Sequence, residues 1–390
     1  MIPYGSHYID EEDIQQVVNV LRSNFLTQGP YIEKFESAVA DYVGVKYAVA
    51  VSSGTAALHL ANLVAGLDSR FSAVTSPITF VASANSILYA GGRALFADID
   101  NETVNMSPES LADVFEKNKN IKVVIPVHFA GLPCDMSKIK YIADKHNAVI
   151  IEDAAHAFGA SYSSGKKVGS CENSLMTIFS FHPVKAIAAG EGGMITTNDE
   201  RVYRRLLRLR SHGINKLNDP FKLFEQARTN GVIDTWYYEM QELGFHYRIT
   251  DIQCALALSQ LKKVDHFISR RLDLVKVYDA AFENMQNCFP AQAGNRNGSG
   301  HHLYTLRIDY DSIGMSRHEV MQKLKLKGIG SQVHYIPVPA HPFYRDLGFK
   351  PEDYPSAQKY YKKALTIPLF FNLTDNQQNQ VIEALKEIVG

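Results

Sequence analysis

The sequence predicts an α/β protein, with a large domain built on a mostly parallel sheet and a smaller α+β domain after it. Short apolar runs alternate with amphipathic helical segments over the first half of the chain, as in repeated strand–helix units. Runs such as residues 123–128 are apolar almost throughout, which is typical of strands covered on both faces. Towards the end, residues 302–310 alternate between apolar and polar side chains as a half-exposed strand does. We expect the large domain over residues 1–250 and the small domain over residues 251–390.

Composition and charge exclude several classes of protein. The 390 residues include 40 basic and 41 acidic side chains, so the net charge of -1 gives no reason to expect nucleic acid or an anionic membrane as a partner. The four cysteines form no Cys-x-x-Cys pair, which predicts neither a metal site nor disulfides and favours a reducing cytoplasm. No apolar stretch approaches the roughly 20 residues of a membrane span, and the first residues lack the features of a signal peptide.

Capping residues predict where several elements begin. An N-terminal arm leads to Asp10, which we expect to cap the first amphipathic helix. Thr250 is expected to cap a long helix that continues unbroken to about residue 285 and bridges the two domains. In the small domain, residues 332–338 resemble a strand that is interrupted by Pro337.

The predicted strands of the large domain bring chemically useful residues to one edge of the sheet. We expect these strands at residues 47–51, 74–76, 95–98, 123–128, 148–152, 175–181 and 194–197. Functional groups in such sheets collect at the carboxyl ends of the strands. Thr55, Phe80, His128, Asp153 and Ser180 all stand at or just after such an end, which predicts a functional site along that edge.

Lys185 lies in a loop between two of these strands, shortly before the glycines of residues 190–193. An enclosed ammonium group is costly, so a buried lysine tends to lose its proton. The neutral amine can then attack a carbonyl carbon and form a Schiff base. A lysine on a surface loop would have the same local sequence, so the rest of the chain has to decide between these two readings.

Three other features complete the requirements of one cofactor. Residues 53–55, Ser-Gly-Thr, join a strand to a helix, where backbone N–H groups favour an anion, although a helix cap without a ligand is an alternative. Asp153 ends a buried strand and needs a cation or hydrogen-bond donors. Phe80 offers a flat apolar face. Together with Lys185, these features are what pyridoxal 5′-phosphate (PLP) requires.

The chain resembles the DegT/DnrJ/EryC1/StrS family of sugar aminotransferases over essentially its whole length. The resemblance rests on seven short motifs that occur in the family's order, at residues 26–29, 53–57, 77–82, 152–156, 179–185, 190–193 and 210–213. It implies the PLP-dependent transferase fold of type I, as in aspartate aminotransferase. It also implies a homodimer with shared active sites.

The resemblance further implies roles for individual residues. Lys185 would be the catalytic Schiff-base lysine, and Asp153 would keep the pyridine nitrogen of PLP protonated. His156 would approach the ring hydroxyl, and Phe80 would stack on the ring. Gly54, Thr55 and Ser180 would bind the phosphate group, and Tyr4, Leu26, Thr27, Gln28, His334 and Tyr335 would line the sugar-nucleotide site. Ordinary capping or packing is the alternative for the phosphate ligands, the phenylalanine, His156 and the two tyrosines.

Within the family, the resemblance is closest to the enzymes of pseudaminic acid biosynthesis, and it is carried by residues 2–5, 182–185, 236–239 and 332–338. It implies amino transfer from L-glutamate to C4 of a UDP-linked 4-keto-6-deoxy-N-acetyl-L-hexosamine. The product would be UDP-4-amino-4,6-dideoxy-N-acetyl-β-L-altrosamine. The alternatives are an aminotransferase for another keto nucleotide sugar, of the bacillosamine type, a related sugar 3-dehydratase with histidine in place of the lysine, or a regulator without activity.

Two positions depart from the family pattern. Relatives usually have asparagine where His246 stands, and that asparagine reaches the phosphate of the partner subunit's cofactor. Since imidazole also donates hydrogen bonds, we expect His246 to bind the cofactor with some pH dependence. Ala188 and Ala189 replace two threonines, which removes two hydroxyl groups beside the lysine loop. The long irregular segment over residues 213–244 is expected to contribute to the shared site.

Overall fold

The large sheet has the predicted, mostly parallel architecture. The computed structural model describes residues 1–215, 220–294 and 296–390. Within them the large sheet consists of β1 (Tyr47–Val51), β2 (Ser72–Thr75), β3 (Arg93–Phe96), β4 (Ile121–Ile125), β5 (Val149–Asp153), β6 (Met176–Ser180) and β7 (Gly193–Thr197). Their order is β1-β7-β6-β5-β4-β2-β3. Only β7 runs antiparallel to its neighbours, while the other pairs are parallel.

Both faces of this sheet are buried, as the apolar strands predict. Val124 of β4 packs into the apolar core on one side, whereas Val123 and Ile125 pack into the core on the other. The accompanying helices are α1 (Glu11–Leu21), α2 (Pro30–Val43), α3 (Gly54–Val64), α4 (Ala82–Tyr89), α5 (Pro108–Lys117), α6 (Met136–Lys145) and α7 (Glu200–Arg210). Asp10 caps α1 as predicted, because its side chain accepts the N–H of Asp13.

The predicted unbroken helix after Thr250 is wrong, although Thr250 does form the expected cap. The structure has two helices, α8 (Asp251–Leu261) and α9 (Val264–Phe282). At the break between them, Lys263 Nζ lies 2.6 Å from Asp10 and 2.9 Å from Asp13. These ion pairs hold the break against the acidic first turn of α1, a long-range contact that the local helical pattern does not reveal.

The irregular segment over residues 213–244 contains two short strand pairs. β8 (Ile214–Asn215) pairs with β11 (Glu239–Met240), and β9 (Arg228–Thr229) pairs with β10 (Val232–Ile233). Residues 216–219 of the segment lie outside the described residues. Trp236 between these strands is 71% exposed, so this part of the segment presents an aromatic surface.

The C-terminal part of the chain has its own sheet and core. Its strands β12 (Cys288–Pro290), β13 (Tyr304–Ile308) and β14 (Ala364–Ile367) are antiparallel and lie in that order. The helices here are α10 (Arg317–Leu326), α11 (Pro342–Asp346), α12 (Pro355–Lys363) and α13 (Asp375–Val389). Ile2 of the N-terminal arm packs into this core. A domain division at residue 250 stays a prediction.

The strand predicted at residues 332–338 is wrong. Gln332 pairs with Thr366 through two backbone hydrogen bonds, but the pairing does not continue. Pro337 has no N–H to donate, and the backbone oxygen of His334 instead accepts the hydroxyl of Tyr360 at 2.9 Å. The segment therefore leaves the small sheet and approaches the large one. No helix in the described ranges is both long and apolar enough to cross a membrane.

Candidate active site

Lys185 follows β6, in the turn that leads towards β7. Its N–H donates to the backbone oxygen of His182 at 2.8 Å, and its side chain is half-buried. Burial lowers the pKa of the Lys185 amine to about 8, and the carboxylate of Asp153 opposes that shift. A substantial fraction of this amine is therefore neutral near pH 8, as a nucleophilic lysine requires.

Asp153 ends β5 and is only 5% exposed. Its Oδ2 accepts the hydroxyl of Ser83 at 2.6 Å, and its Oδ1 accepts the N–H of Ala155 at 3.1 Å. The buried carboxylate is therefore held by two donors, one on each oxygen. Ser83 lies one residue beyond the motif at residues 77–82 and was not among the predicted site residues.

The first turn of α3 forms a close contact with the end of β6. Ser53 caps α3 by accepting the N–H of Ala56 at 3.1 Å, which leaves the first-turn N–H groups of Gly54 and Thr55 without helical partners. A Cβ on Gly54 would lie 3.0 Å from Cβ of Ser180. Glycine thus lets the N-terminus of α3 approach Ser180 closely, so that its unpartnered N–H groups and the Ser180 hydroxyl lie side by side, as an anion site requires.

His156 lies just after β5, and it is buried. Its Nε2 lies 3.0 Å from the hydroxyl of Tyr335, while its Nδ1 has no hydrogen-bond partner in the described structure. Burial lowers the pKa of His156 well below its ordinary value, and Lys185 and His334 act in the same direction. The ring is therefore neutral at physiological pH. His302, which the sequence analysis missed, has its ring centroid 4.4 Å away.

Aromatic rings surround the open side of this cluster. Phe80 is 60% exposed, and its ring centroid lies 6.4 Å from that of Tyr335. The Tyr4 ring lies 5.5 Å from that of His334, whose Nδ1 lies 2.8 Å from the Thr366 hydroxyl. Burial lowers the pKa of His334 to about 3, so this ring is also neutral. The N-terminal arm and the segment after Gln332 thus meet beside His156.

The model of the DegT/DnrJ/EryC1/StrS aminotransferase family matches residues 7–386. The chain belongs to this family. It is 38% identical over 390 residues to the spore coat polysaccharide biosynthesis protein SpsC of Bacillus subtilis, covering 100% of this chain and 97% of that protein. It is 36% identical over 369 residues to the UDP-4-amino-4,6-dideoxy-N-acetyl-beta-L-altrosamine transaminase of Campylobacter jejuni, covering 94% and 92%.

Among solved structures, the putative sugar aminotransferase Spr1654 from Streptococcus pneumoniae, in its PLP form, is similar with a TM-score of 0.88. The two chains are 29% identical, and the match covers 100% of this chain and 98% of the other. The expected aminotransferase fold is thereby confirmed. The groups around Lys185 also fit PLP chemically, because they include the N-terminus of α3 packed against Ser180, a buried carboxylate and an unpartnered imidazole nitrogen.

Three of the expected substrate residues in this family member form a separate group. Thr27 pairs with Thr250, the backbone oxygen of Leu26 accepts the N–H of Asp251 at 3.0 Å, and Gln28 follows them. All three side chains are exposed. Gln28 lines a cavity of about 1040 Å³ together with Trp236. This group thus lies beside α8, on a different element from Tyr4 and Tyr335.

The two departures from the family pattern have different surroundings. His246 is exposed, pairs with Ser211 and has its ring centroid 5.4 Å from that of His212, so it lies on the outside of this chain. Ala188 and Ala189 are 4% and 3% exposed, and Ala189 belongs to the apolar core. A hydroxyl at Ala189 would have to find a partner in the apolar core, whereas Ala188 lines a small cavity together with polar groups that include Lys185 and Gln260.

Proposed function

We propose that this aminotransferase uses PLP to move an amino group from L-glutamate to C4 of a UDP-linked 4-keto-6-deoxy-N-acetyl-L-hexosamine. The product would be UDP-4-amino-4,6-dideoxy-N-acetyl-β-L-altrosamine. The observation that carries the chemistry is the half-buried amine of Lys185, with its pKa of about 8 and with the carboxylate of Asp153 acting on it. The choice of sugar is supported by the 36% identity to the Campylobacter transaminase.

The residues of this chain would have separate roles in binding the cofactor and in moving the proton. Lys185 would hold the cofactor covalently and move the proton during transfer. Gly54, Thr55 and Ser180 would bind the phosphate group, and Asp153 would face the pyridine nitrogen. When bound, PLP supplies an electron-withdrawing ring that stabilises negative charge on the reacting carbon.

The neighbouring side chains would orient the cofactor and the sugar. Phe80 would cover one face of the PLP ring with its exposed side chain. His156, neutral and unpartnered at Nδ1, would hydrogen-bond to the ring hydroxyl. Tyr4, His334 and Tyr335 would line the sugar-nucleotide site, together with the group at residues 26–28.

We further propose that the enzyme acts as a cytoplasmic homodimer. His246 lies on the outside of the chain, so its expected phosphate contact requires a second copy. The exposed Trp236 supports the same arrangement, because large exposed aromatics are typical of interfaces.

Another keto nucleotide sugar of the bacillosamine type is the second candidate substrate. One observation favours it, since the 38% identity to SpsC points to a relative named for spore coat polysaccharide rather than for the altrosamine product. A 3-dehydratase has less support, because Lys185 occupies the position where those enzymes have histidine.

The test supplies ¹⁵N-labelled L-glutamate, PLP and a panel of UDP-linked 4-keto sugars of L and D configuration. We expect ¹⁵N in the 4-amino product of the L-configured N-acetyl sugar, with no product from Lys185→Ala. Lys166→Ala serves as the matched control, since this lysine pairs with Glu172 at the surface. Labelling of D sugars alone would overturn the sugar assignment, and full activity of Lys185→Ala would overturn the chemistry.

A further inference from the structure

Two buried hydroxyl groups lead from the segment before α4 to the carboxylate of Asp153. Ser83 lies in the first turn of α4 and is 1% exposed, with its Oγ 2.6 Å from Oδ2 of Asp153. Thr79 is 2% exposed, and its Oγ1 lies 2.7 Å from Oγ of Ser83. The three side chains therefore form one continuous hydrogen-bonded chain.

The direction of the hydrogen bonds follows from the chemistry of the groups. An ionised carboxylate only accepts, so the single proton of the Ser83 hydroxyl points to Asp153. Thr79 then has to donate to Ser83. The backbone oxygen of Phe80 also lies near Oγ of Ser83, but at 3.4 Å it is the weaker acceptor.

Ser83 is one of two donors that restrict rotation of the Asp153 carboxylate. The other donor is the N–H of Ala155, which lies 3.1 Å from Oδ1. With one donor on each oxygen, the plane of the carboxylate is fixed. Without the Ser83 hydroxyl, only the longer bond from Ala155 would remain, and the carboxylate would be free to turn about it.

We propose that Ser83 is a positioning residue that, supported by Thr79, fixes the Asp153 carboxylate in the orientation that faces the pyridine nitrogen of PLP. This inference rests on the proposed function, because it takes Asp153 as the partner of that nitrogen. The same short segment carries Phe80, whose exposed ring is the proposed platform. Residues 79–83 would therefore supply both Phe80, which covers the face of the cofactor ring, and Ser83, which orients the carboxylate that faces the pyridine nitrogen.

The first test measures the dissociation constant of PLP by titrating the cofactor-free protein. We expect Ser83→Ala to weaken binding about 10-fold, as the loss of a hydrogen bond to a charged group does. Ser83→Thr, which keeps the hydroxyl, should bind PLP as the parent does. Ser86→Ala is the matched control, because Ser86 is a buried serine of the same helix that donates to the backbone oxygen of Ser83 at 2.8 Å.

The second readout is the visible absorbance of the PLP-loaded protein as a function of pH. The pH at the midpoint of this absorbance change should differ from that of the parent in Ser83→Ala and differ less in Thr79→Val. In Ser86→Ala it should equal that of the parent. If these substitutions acted only by loosening the packing of α4, Ser83→Ala and Ser86→Ala would give the same midpoint. Equal binding constants and equal midpoints for Ser83→Ala and Ser86→Ala would overturn the inference.

Asp153→Asn separates this inference from the proposed function. If Asp153→Asn binds PLP as tightly as the parent with an unchanged midpoint, the proposed role of Asp153 fails, and the inference about Ser83 fails with it. If Asp153→Asn binds weakly while Ser83→Ala behaves as Ser86→Ala does, only the positioning role of Ser83 is overturned.

Discussion

The hydroxyl of Tyr335 lies 3.0 Å from Nε2 of His156, so a segment from the C-terminal part of the chain is tied directly to the carboxyl edge of the large sheet. The contact satisfies one nitrogen of a buried, neutral imidazole, while Nδ1 has no partner within the described residues. Nδ1 of His156 is therefore left without a protein partner in the candidate site, as is Nδ1 of the neighbouring His302.

Replacing Tyr335 with phenylalanine should lower the free energy of unfolding by about 1–3 kcal/mol, because both nitrogens of His156 would then be buried without a partner. Urea denaturation of the cofactor-free protein measures this change. Tyr141→Phe is the control, since Tyr141 is 63% exposed and its hydroxyl can bond to water. Equal stabilities of the two variants would contradict the assigned contact.

A fully buried hydrogen-bonded pair braces the strand that carries Asp153. Nε2 of His128 lies 2.8 Å from Oε2 of Glu152, which also accepts the hydroxyl of Tyr162 at 2.5 Å. Because Nδ1 of His128 accepts the N–H of Cys134 at 3.1 Å, the ring is neutral with its proton on Nε2. Glu152→Gln replaces one acceptor oxygen of this buried carboxylate with a donor and should cost about 1–3 kcal/mol of stability near pH 7. Glu383→Gln, at an exposed pair with Lys386, should change the urea midpoint little.

The same pair predicts a pH dependence with a definite sign. Burial opposes the charge on Glu152, but the hydrogen bonds from His128, Ser174 and Tyr162 lower its pKa. The Glu152 contribution is therefore present above pH 4.5 and is lost as the pH falls.

Urea unfolding at a series of pH values checks this prediction. The difference in stability between the parent and Glu152→Gln should be complete above pH 4.5, and it should shrink as the pH falls below that value. A difference that stays constant from pH 7 to about pH 3 would mean that Glu152 is not ionised in the folded protein.

Gly54→Ala should weaken PLP binding about 10-fold, because the new methyl group would lie 3.0 Å from Cβ of Ser180 and crowd the anion site. Gly5→Ala is the matched control, since a Cβ there would meet Val184 at an ordinary 3.8 Å. Titration of the cofactor-free variants with PLP measures the effect. Unchanged affinity in Gly54→Ala would place the phosphate group elsewhere.

Much of the large sheet and its helices could be predicted from the sequence, because their apolar runs and capping residues act locally. The strand ends near Asp153 and Ser180, and the loop of Lys185, follow from such runs. The break before α9 could not be predicted, because it depends on Lys263 reaching acidic residues at the other end of the chain.

Site residues could be predicted where the residue type itself indicates a role, as for a lysine that can form a Schiff base. Residues that only position another side chain could not be predicted, because their contacts form only in the fold. Ser83 adjoins a recognised motif, but its bond to Asp153 joins residues that are distant in sequence. His302 likewise meets His156 only through the fold. The strand predicted around His334 failed because Pro337 and side-chain hydrogen bonds end the backbone pairing.

Lys185 is the residue on which the proposed chemistry depends, because it would hold the cofactor covalently. Cofactor-free protein is mixed with PLP at a series of pH values, reduced with borohydride, digested and examined by mass spectrometry. We predict that the reduced PLP group is attached to Lys185. The initial rate of attachment should rise with pH around a midpoint near 8, because the neutral amine is the reactive form. Label on another lysine, or a midpoint near 10.5, would contradict the account.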